Sequence, residues 1–444
     1  WPALHPESGA DDPLQFGRFA MLLKNKKGQP LTVWYLSPHD KIPSDSWGYD
    51  RALIQIETLA AAGCRVVFWA GTFSHSTKTL RGQPWQTLPM DDRCKVVLVP
   101  VRSYQRHGSL ARLGSLFDFG FNMWRHPPTG PAPDLIISVM PTPFVDLASV
   151  LLARRHGAKF VQDFRDLWPE LFIHAFPPAA RGLGKLLIKP LQWLRKWALK
   201  RSDGFLSVTH DYLSFANDIS ATVCQRPHAV VYFGVDAHRP DLANIAPDLL
   251  AGLHKRDASE TWFVYGGTLG DNYDIRTMVE VFSTIAREHP QRRLRLKVAG
   301  NGPLRGVVEA AAQAHPEHIS YFGPLNKDAL WRLLDSCDIG LLPYAGFSTV
   351  SVPAKTFDYI AAGLPMINSL PGEIDDIISQ RQIGLKYESG NQADLLRAVL
   401  AMVEHPDQLA AMKLRSADAA ATYSRGAQYG KMTDVVEQLF AQAA

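Results

Sequence analysis

Lys355 and Asp358 stand three residues apart in the run S-V-P-A-K-T-F-D-Y-I-A-A-G-L-P-M-I-N, residues 351–368. If the run is helical, that spacing puts both side chains on one face. Pro353 suits a helix start, and Gly363 with Pro365 suits its end and the entry to a strand. A cation and a carboxylate there can serve a nucleotide: the ammonium meets a diphosphate, the carboxylate accepts from ribose hydroxyls. The plain alternative is a surface ion pair. Two glycine turns have related chemistry. One is G-G-T-L-G, residues 266–270, directly after a β-type run ending at Tyr265; the other is G-N-G-P, residues 300–303. Gly267, Thr268, Gly270, Gly300 and Gly302 are candidate phosphate contacts, because glycine lets backbone N–H groups approach an anion. Such turns also serve as simple tight connections. Neither matches the dinucleotide fingerprint or the Walker loop, which sets NAD and ATP aside.

The first half offers different material. A strand over 158–162 is expected to emit the loop D-F-R-D-L-W-P-E, residues 163–170. Loops at the carboxyl ends of parallel strands are where such folds bind ligands, so Asp163 and Asp166 are candidate catalytic carboxylates. A capping and salt-bridge network is the alternative. His39 and His210 each follow a predicted strand. No His/Cys/Asp/Glu group has metal-ligand spacing, and no metal is expected. Residues 184–200 place Lys185, Lys189, Lys196 and Lys200 on one helical face and Leu187, Leu191, Leu194 and Ala198 on the other. Pro190 should bend or split that helix. Its basic face is either solvated or, with Trp193 and Trp197, a contact for an acidic membrane surface. The run at 116–124 is a second lipid-facing candidate, or core.

These residues must be held by an alternating α/β chain. Apolar runs at 31–36, 64–69, 95–99, 134–139, 158–162 and 204–208 alternate with helical stretches, which implies a parallel sheet covered on both faces. The pattern breaks over 237–260 and resumes with runs at 261–265, 294–299, 319–322, 338–342, 365–368 and 383–387. The expected organisation is a peripheral segment 1–30, a first domain 31–236, an interdomain region 237–260 and a second domain 261–419. A helix over 420–444 can fold back over the first domain. At 444 residues, two cores are expected rather than one. The formal charge of +4 asks for no nucleic acid, and the positive residues form no base-reading module. Four scattered cysteines, no signal peptide and no bilayer-length apolar run point to a cytoplasmic setting.

Four stretches carry a resemblance. D-F-R-D-L-W-P-E resembles a D-L-W-P-E signature, and V-Y-F-G-V-D at 231–236 resembles an N-G-V-D interdomain segment. V-Y-G-G-T-L-G with V-A-G-N-G-P resembles two donor-domain turns. P-A-K-T-F-D-Y-I-A-A-G-L-P resembles P-S-K-x-F-E-Y-x-A-A-G-x-P. Together, over about residues 31–430, the chain resembles the retaining glycosyltransferases of family four, and among them the bacterial capsule, exopolysaccharide and O-antigen enzymes. The resemblance implies the α/β fold called GT-B, two Rossmann-like doubly wound domains facing across a cleft. It implies a UDP-sugar or GDP-sugar donor in the second domain and no cofactor. The acceptor, a lipid-linked or other saccharide, falls to the first domain; the basic stretch 184–200 adds the expectation of a peripheral place on the cytoplasmic face of the inner membrane. Lys355 would touch the donor diphosphate, Asp358 the ribose, and Gly48 with Tyr49 the phosphate or sugar. Val350 and Asp358 occupy the places of the family's paired glutamates, so one carboxylate is absent and one shortened. Two rival readings are a noncatalytic nucleotide-sugar-binding partner and a sugar-nucleotide epimerase of the same fold.

Overall fold

The computed structural model describes residues 22–45, 51–105, 109–126, 131–140, 142–167, 169–170, 173, 181–255 and 257–441. The chain forms two compact units: residues up to Tyr232 together with those from Gln428 onward, and Phe233–Ala427.

Unit 1 is built on eight strands: β1 (Thr32–Leu36), β2 (Arg65–Gly71), β3 (Thr87–Pro89), β4 (Cys94–Val99), β5 (Leu135–Met140), β6 (Lys159–Phe164), β7 (Gly204–Ser207) and β8 (His228–Val230). Their order is β3-β4-β2-β1-β5-β6-β7-β8, parallel throughout except for the antiparallel β3–β4 pair at one edge. Alternation of side chains fills both faces. Val33, Tyr35, Val66 and Phe68 enter one core, while Trp34, Leu36, Val67 and Trp69 enter another. Helices Leu110–Arg125 and Pro143–His156 belong to the second face; Phe119, Met123, Val145 and Val150 complete that core. Helix Arg51–Ala61 covers the first face. There it is joined by Tyr429, Met432, Val435, Val436 and Leu439 of helix Arg425–Ala441. Leu23, ahead of β1, is buried in the same core.

Unit 2 carries a six-stranded parallel sheet: β9 (Thr261–Gly266), β10 (Leu294–Ala299), β11 (Ile319–Tyr321), β12 (Ile339–Leu342), β13 (Met366–Asn368) and β14 (Gly384–Lys386). The order β11-β10-β9-β12-β13-β14 means the chain winds outward from β9, then returns to wind the other way from β12. The β9/β12 junction is therefore the topological switch point, where doubly wound sheets open a crevice beyond the strand ends. Pairing between β9 and β12 covers only Phe263–Ile339 and Val264–Gly340 before the strands part.

Both sheets are of the doubly wound kind that the alternating pattern implied. Strands β3 and β8 lie outside that pattern, being three residues each, too short to show a period. The run at 158–162 continues to Phe164, so Asp163 lies inside β6 rather than in the loop beyond it. That is a correction with consequences for the site.

Candidate functional site

Helix Lys355–Ala361 starts one residue after its cap, Ala354, with Pro353 just ahead of it. Tyr359 anchors it: its ring is buried against Gly340, where a Cβ would come within 2.4 Å of that ring. The Tyr359 hydroxyl donates toward Val264 O and Leu341 O, both at 3.3 Å, and receives Gly266 N–H at 3.4 Å. It thus fills the gap where β9 and β12 part. This fixes Lys355 at the carboxyl ends of those strands.

The Lys355 ammonium meets three tyrosine faces. It lies 4.2 Å from the Tyr265 ring centroid, 4.5 Å from Tyr273 and 5.2 Å from Tyr344. The Tyr273 and Tyr344 rings touch at 4.8 Å between centroids. Nζ is shut off from solvent and has no hydrogen-bond partner among the described residues. Burial pushes its pKa down to about 7, with Asp358 only partly offsetting it. Burial likewise raises Asp358 to about 7, against the pull of Lys355 and Arg425. Arg425, whose backbone N–H donates to Asp236 at 3.0 Å, is a neighbour that the spacing of Lys355 and Asp358 gave no sign of. The tyrosines were equally hidden, since they come from separate strands and loops.

Both glycine turns adjoin this cage, and three of their glycines are required by the packing of the turns themselves. Gly267, Gly300 and Gly302 hold φ of +156°, +139° and +157°. A Cβ on Gly300 would stand 1.7 Å from Gly267 O, and one on Gly302 2.3 Å from Leu269 O. The two turns are packed backbone to backbone. Gly267 N–H donates to Ala299 O, Leu269 N–H to Asn301 O and Gly300 N–H to Gly323 O, at 2.8–2.9 Å. Gly302 N–H is taken by the Asn301 side chain at 2.9 Å. Those amides are therefore engaged, and the glycines are there for close approach of chain to chain. Tyr265 reinforces the first turn by donating to Thr268 O at 2.6 Å. Gly270 closes that turn, its carbonyl taking Tyr273 N–H at 3.0 Å.

In unit 1, Asp163 is sealed. Its side chain has no exposed surface and accepts from Arg51 at 3.0 and 3.1 Å, from Arg165 at 2.9 Å and from Gln55 at 3.2 Å. Burial alone would raise its pKa, but the two guanidiniums win and hold it at about 2. Arg165 continues to Asp40 at 2.8 Å, and its guanidinium also donates to Tyr35. Glu170, from the same motif, pairs with Arg195 at 2.6 and 2.8 Å. Asp163 and Arg165 thus form an ion-pair network with Arg51 and Asp40, and Glu170 makes a separate pair with Arg195. Asp166 differs: it is exposed in the turn after β6. Arg51, which carries the network from the helix ahead of β2, has no sequence signal linking it to Asp163. Gly48, Tyr49 and Trp168 lie outside the described residues.

The basic stretch is two helices, Arg181–Leu187 and Lys189–Leu199, divided at Ile188 just ahead of Pro190. Leu194 and Ala198 are buried as the period requires, but Leu187 is not: Leu183, Leu186, Leu187 and Trp193 stand exposed among the lysines. The break at Ile188 turns the first piece off the face of the second. The run at 116–124 is itself amphipathic, with Leu116, Phe119 and Met123 buried and Phe117, Phe121 and Trp124 partly exposed. No described helix is long and apolar enough to cross a membrane. Among the described residues no group of acidic, His or Cys side chains could hold a metal ion.

Comparison with known proteins gives this architecture a family. Residues 50–231 match the model of the glycosyl transferase 4-like domain, and residues 260–405 match that of glycosyl transferases group 1. No curated protein sequence matches the chain. Among solved structures, sucrose-phosphate synthase from Thermosynechococcus elongatus is similar over 93% of this chain and 100% of its own, with TM-score 0.67 and 16% identity. WaaG, a glycosyltransferase involved in lipopolysaccharide biosynthesis, is similar over 91% and 99%, with TM-score 0.60 and 14% identity. HepE from Anabaena, solved with UDP-glucose, is similar over 93% and 99%, with TM-score 0.57 and 11% identity. The two family matches do not overlap and together take in most of the chain, which belongs to the group 1 glycosyltransferases, with the GT-B fold.

Proposed function

We propose that the chain transfers a sugar from a UDP- or GDP-sugar bound by unit 2 to a hydroxyl of a saccharide acceptor bound by unit 1. The observation that carries this reading is the Lys355 ammonium, buried against three tyrosines at the switch point with no hydrogen-bond partner among the described residues. A donor diphosphate supplies an anion for it, and we assign Asp358, one turn along, to the ribose. As charge grows on the departing nucleoside diphosphate, Lys355 stabilises it from a buried position. Asp166 is the exposed carboxylate left for the acceptor, and Asp163 positions Arg165. Retention of configuration follows the family resemblance, with the phosphate receiving the acceptor proton. HepE, solved with UDP-glucose, lends support to UDP as the nucleotide.

The acceptor is a lipid-linked saccharide of bacterial surface polysaccharide, met at an acidic membrane. Exposed Leu183, Leu186, Leu187 and Trp193 beside Lys185, Lys189, Lys196 and Lys200 support that reading, since apolar anchors flanked by cations suit an anionic interface. Replacing Leu187 and Trp193 with serine should weaken co-sedimentation with acidic vesicles; sedimentation that ignores both changes argues for a solvated face.

Titration with UDP, GDP and ATP under one salt condition tests the donor assignment. Selective binding of UDP or GDP is expected, followed by a glycosylated acceptor when the matching donor is supplied. Epimerised donor without transfer would identify an epimerase. Val350, where the family motif has glutamate, favours the noncatalytic reading, which predicts binding with no product at all.

A further inference from the structure

At the strand ends of unit 1, three loops gather a group that the donor reading leaves unused. His39 follows β1, His75 and Lys78 follow β2, and Tyr104 follows β4; Arg112 joins them from helix Leu110–Arg125. The two histidine rings lie 4.8 Å apart. The Tyr104 hydroxyl is hydrogen-bonded to His75 Nδ1 and stands 3.4 Å from His39 Nδ1. Lys78 lays its ammonium over the Tyr104 ring, 4.7 Å from the centroid.

His39 Nε2 and Lys78 Nζ are among the polar atoms of this group that are shut off from solvent and unpartnered among the described residues. Buried polar groups are ordinarily satisfied, so each calls for an explanation. Lys78 adds a second oddity, because its φ of +60° is left-handed backbone that a lysine seldom adopts. The turn that holds it is closed by Lys78 N–H to Ser74 O at 3.0 Å and Ser74 N–H to Thr79 O at 2.8 Å. A strained turn retained around a cation marks a position under functional demand.

The local charge is uneven. Arg81 is neutralised by Asp45 at 2.6 Å, and Arg112 faces Asp166, but no described carboxylate pairs with Lys78. Burial, then the positive charge of Arg112, His75, Arg81 and Lys78, holds the His39 ring well below its ordinary pKa. A positive field with unpartnered polar atoms wants an oxyanion.

We propose that this cluster is a phosphate subsite for an acceptor carrying a phosphate ester or diphosphate, with Lys78 and His39 as contacts and Tyr104 and His75 orienting them. The assignment rests on the reading of unit 1 as the acceptor domain. A phosphate suits the cluster better than a carboxylate, since its tetrahedral oxygens can meet contacts converging from separate loops.

The test is titration of the full chain with inorganic phosphate, with and without saturating UDP, followed by heat and by histidine ring NMR signals. Saturable binding that persists with UDP and shifts the His39 and His75 signals is expected. Lys78→Gly and His39→Phe should each weaken it by about tenfold or more, with UDP affinity held within about twofold. Glycine suits the left-handed position, so Lys78→Gly keeps the loop. The wild-type histidine shifts decide the matter even where His39→Phe fails to fold. Phosphate binding indifferent to Lys78→Gly, or silent histidines, overturns the subsite. UDP that displaces phosphate and is weakened equally by Lys78→Gly gives the cluster to the donor, which also overturns it. UDP bound while phosphate is ignored sinks the subsite alone; failure of both UDP and GDP, with phosphate still bound, sinks the donor reading alone.

Discussion

Asp163 in unit 1 and Lys355 in unit 2 are both buried charges at the carboxyl ends of parallel strands, yet they are treated in opposite ways. Asp163 receives two arginines and a glutamine, and its carboxyl is held ionised at about 2. Lys355 receives ring faces and only a partial offset from Asp358, and burial draws its pKa down to about 7. Burying an ion is costly unless partners replace the water it loses. Where the protein supplies every partner, the charge is a strut. Where the described residues leave it without a hydrogen bond, the charge awaits a ligand.

Breaking the strut should have the larger effect. Asp163→Ala leaves Arg51 and Arg165 facing each other without their carboxylate, a loss of about 3–5 kcal/mol, visible in urea unfolding. Lost transfer activity at unchanged stability would instead make Asp163 a chemical group and dissolve the contrast. Lys355→Met should do the reverse. It should weaken UDP or GDP binding by about tenfold or more and leave urea stability equal or higher, because the cage keeps an apolar occupant. A large fall in stability would mean the tyrosine cage is structural.

The mildest test changes only pH. An anion prefers the ammonium form of Lys355, which is lost as pH rises through about 7. Asp358, raised to about 7, gains over the same range the charge with which it accepts from ribose, so its effect opposes that of Lys355 and the stronger diphosphate contact sets the sign. UDP affinity should therefore fall above pH 7, by up to about tenfold per unit, with proton uptake on binding. Calorimetry in buffers of different ionisation heat measures that uptake. Flat affinity from pH 6 to 9 would place the diphosphate elsewhere.

Much of the fold was legible in the sequence because buried parallel strands announce themselves as apolar runs. Val33, Trp34, Tyr35 and Leu36 are all buried, each on one face of a sheet covered twice. What escaped was whatever depends on distant partners. Asp163 reads as a loop residue until Arg51, far along the chain, is seen to hold it within β6. Lys355 and Asp358 share a face by spacing alone, but nothing local tells that Tyr265, Tyr273 and Tyr344 surround the ammonium. Gly300 and Gly302 look like phosphate glycines, whereas each is required by a neighbouring carbonyl. Leu187 followed the helical period on paper and left it because the helix divides at Ile188.

Unit 1 takes residues from both sides of unit 2: the chain leaves it at Tyr232 and rejoins it at Gln428. During synthesis, then, unit 2 can be complete while unit 1 still lacks Tyr429, Met432, Val435, Val436 and Leu439 from its first core. Until that segment leaves the ribosome, an apolar trough beside helix Arg51–Ala61 stays open to water and to chaperones.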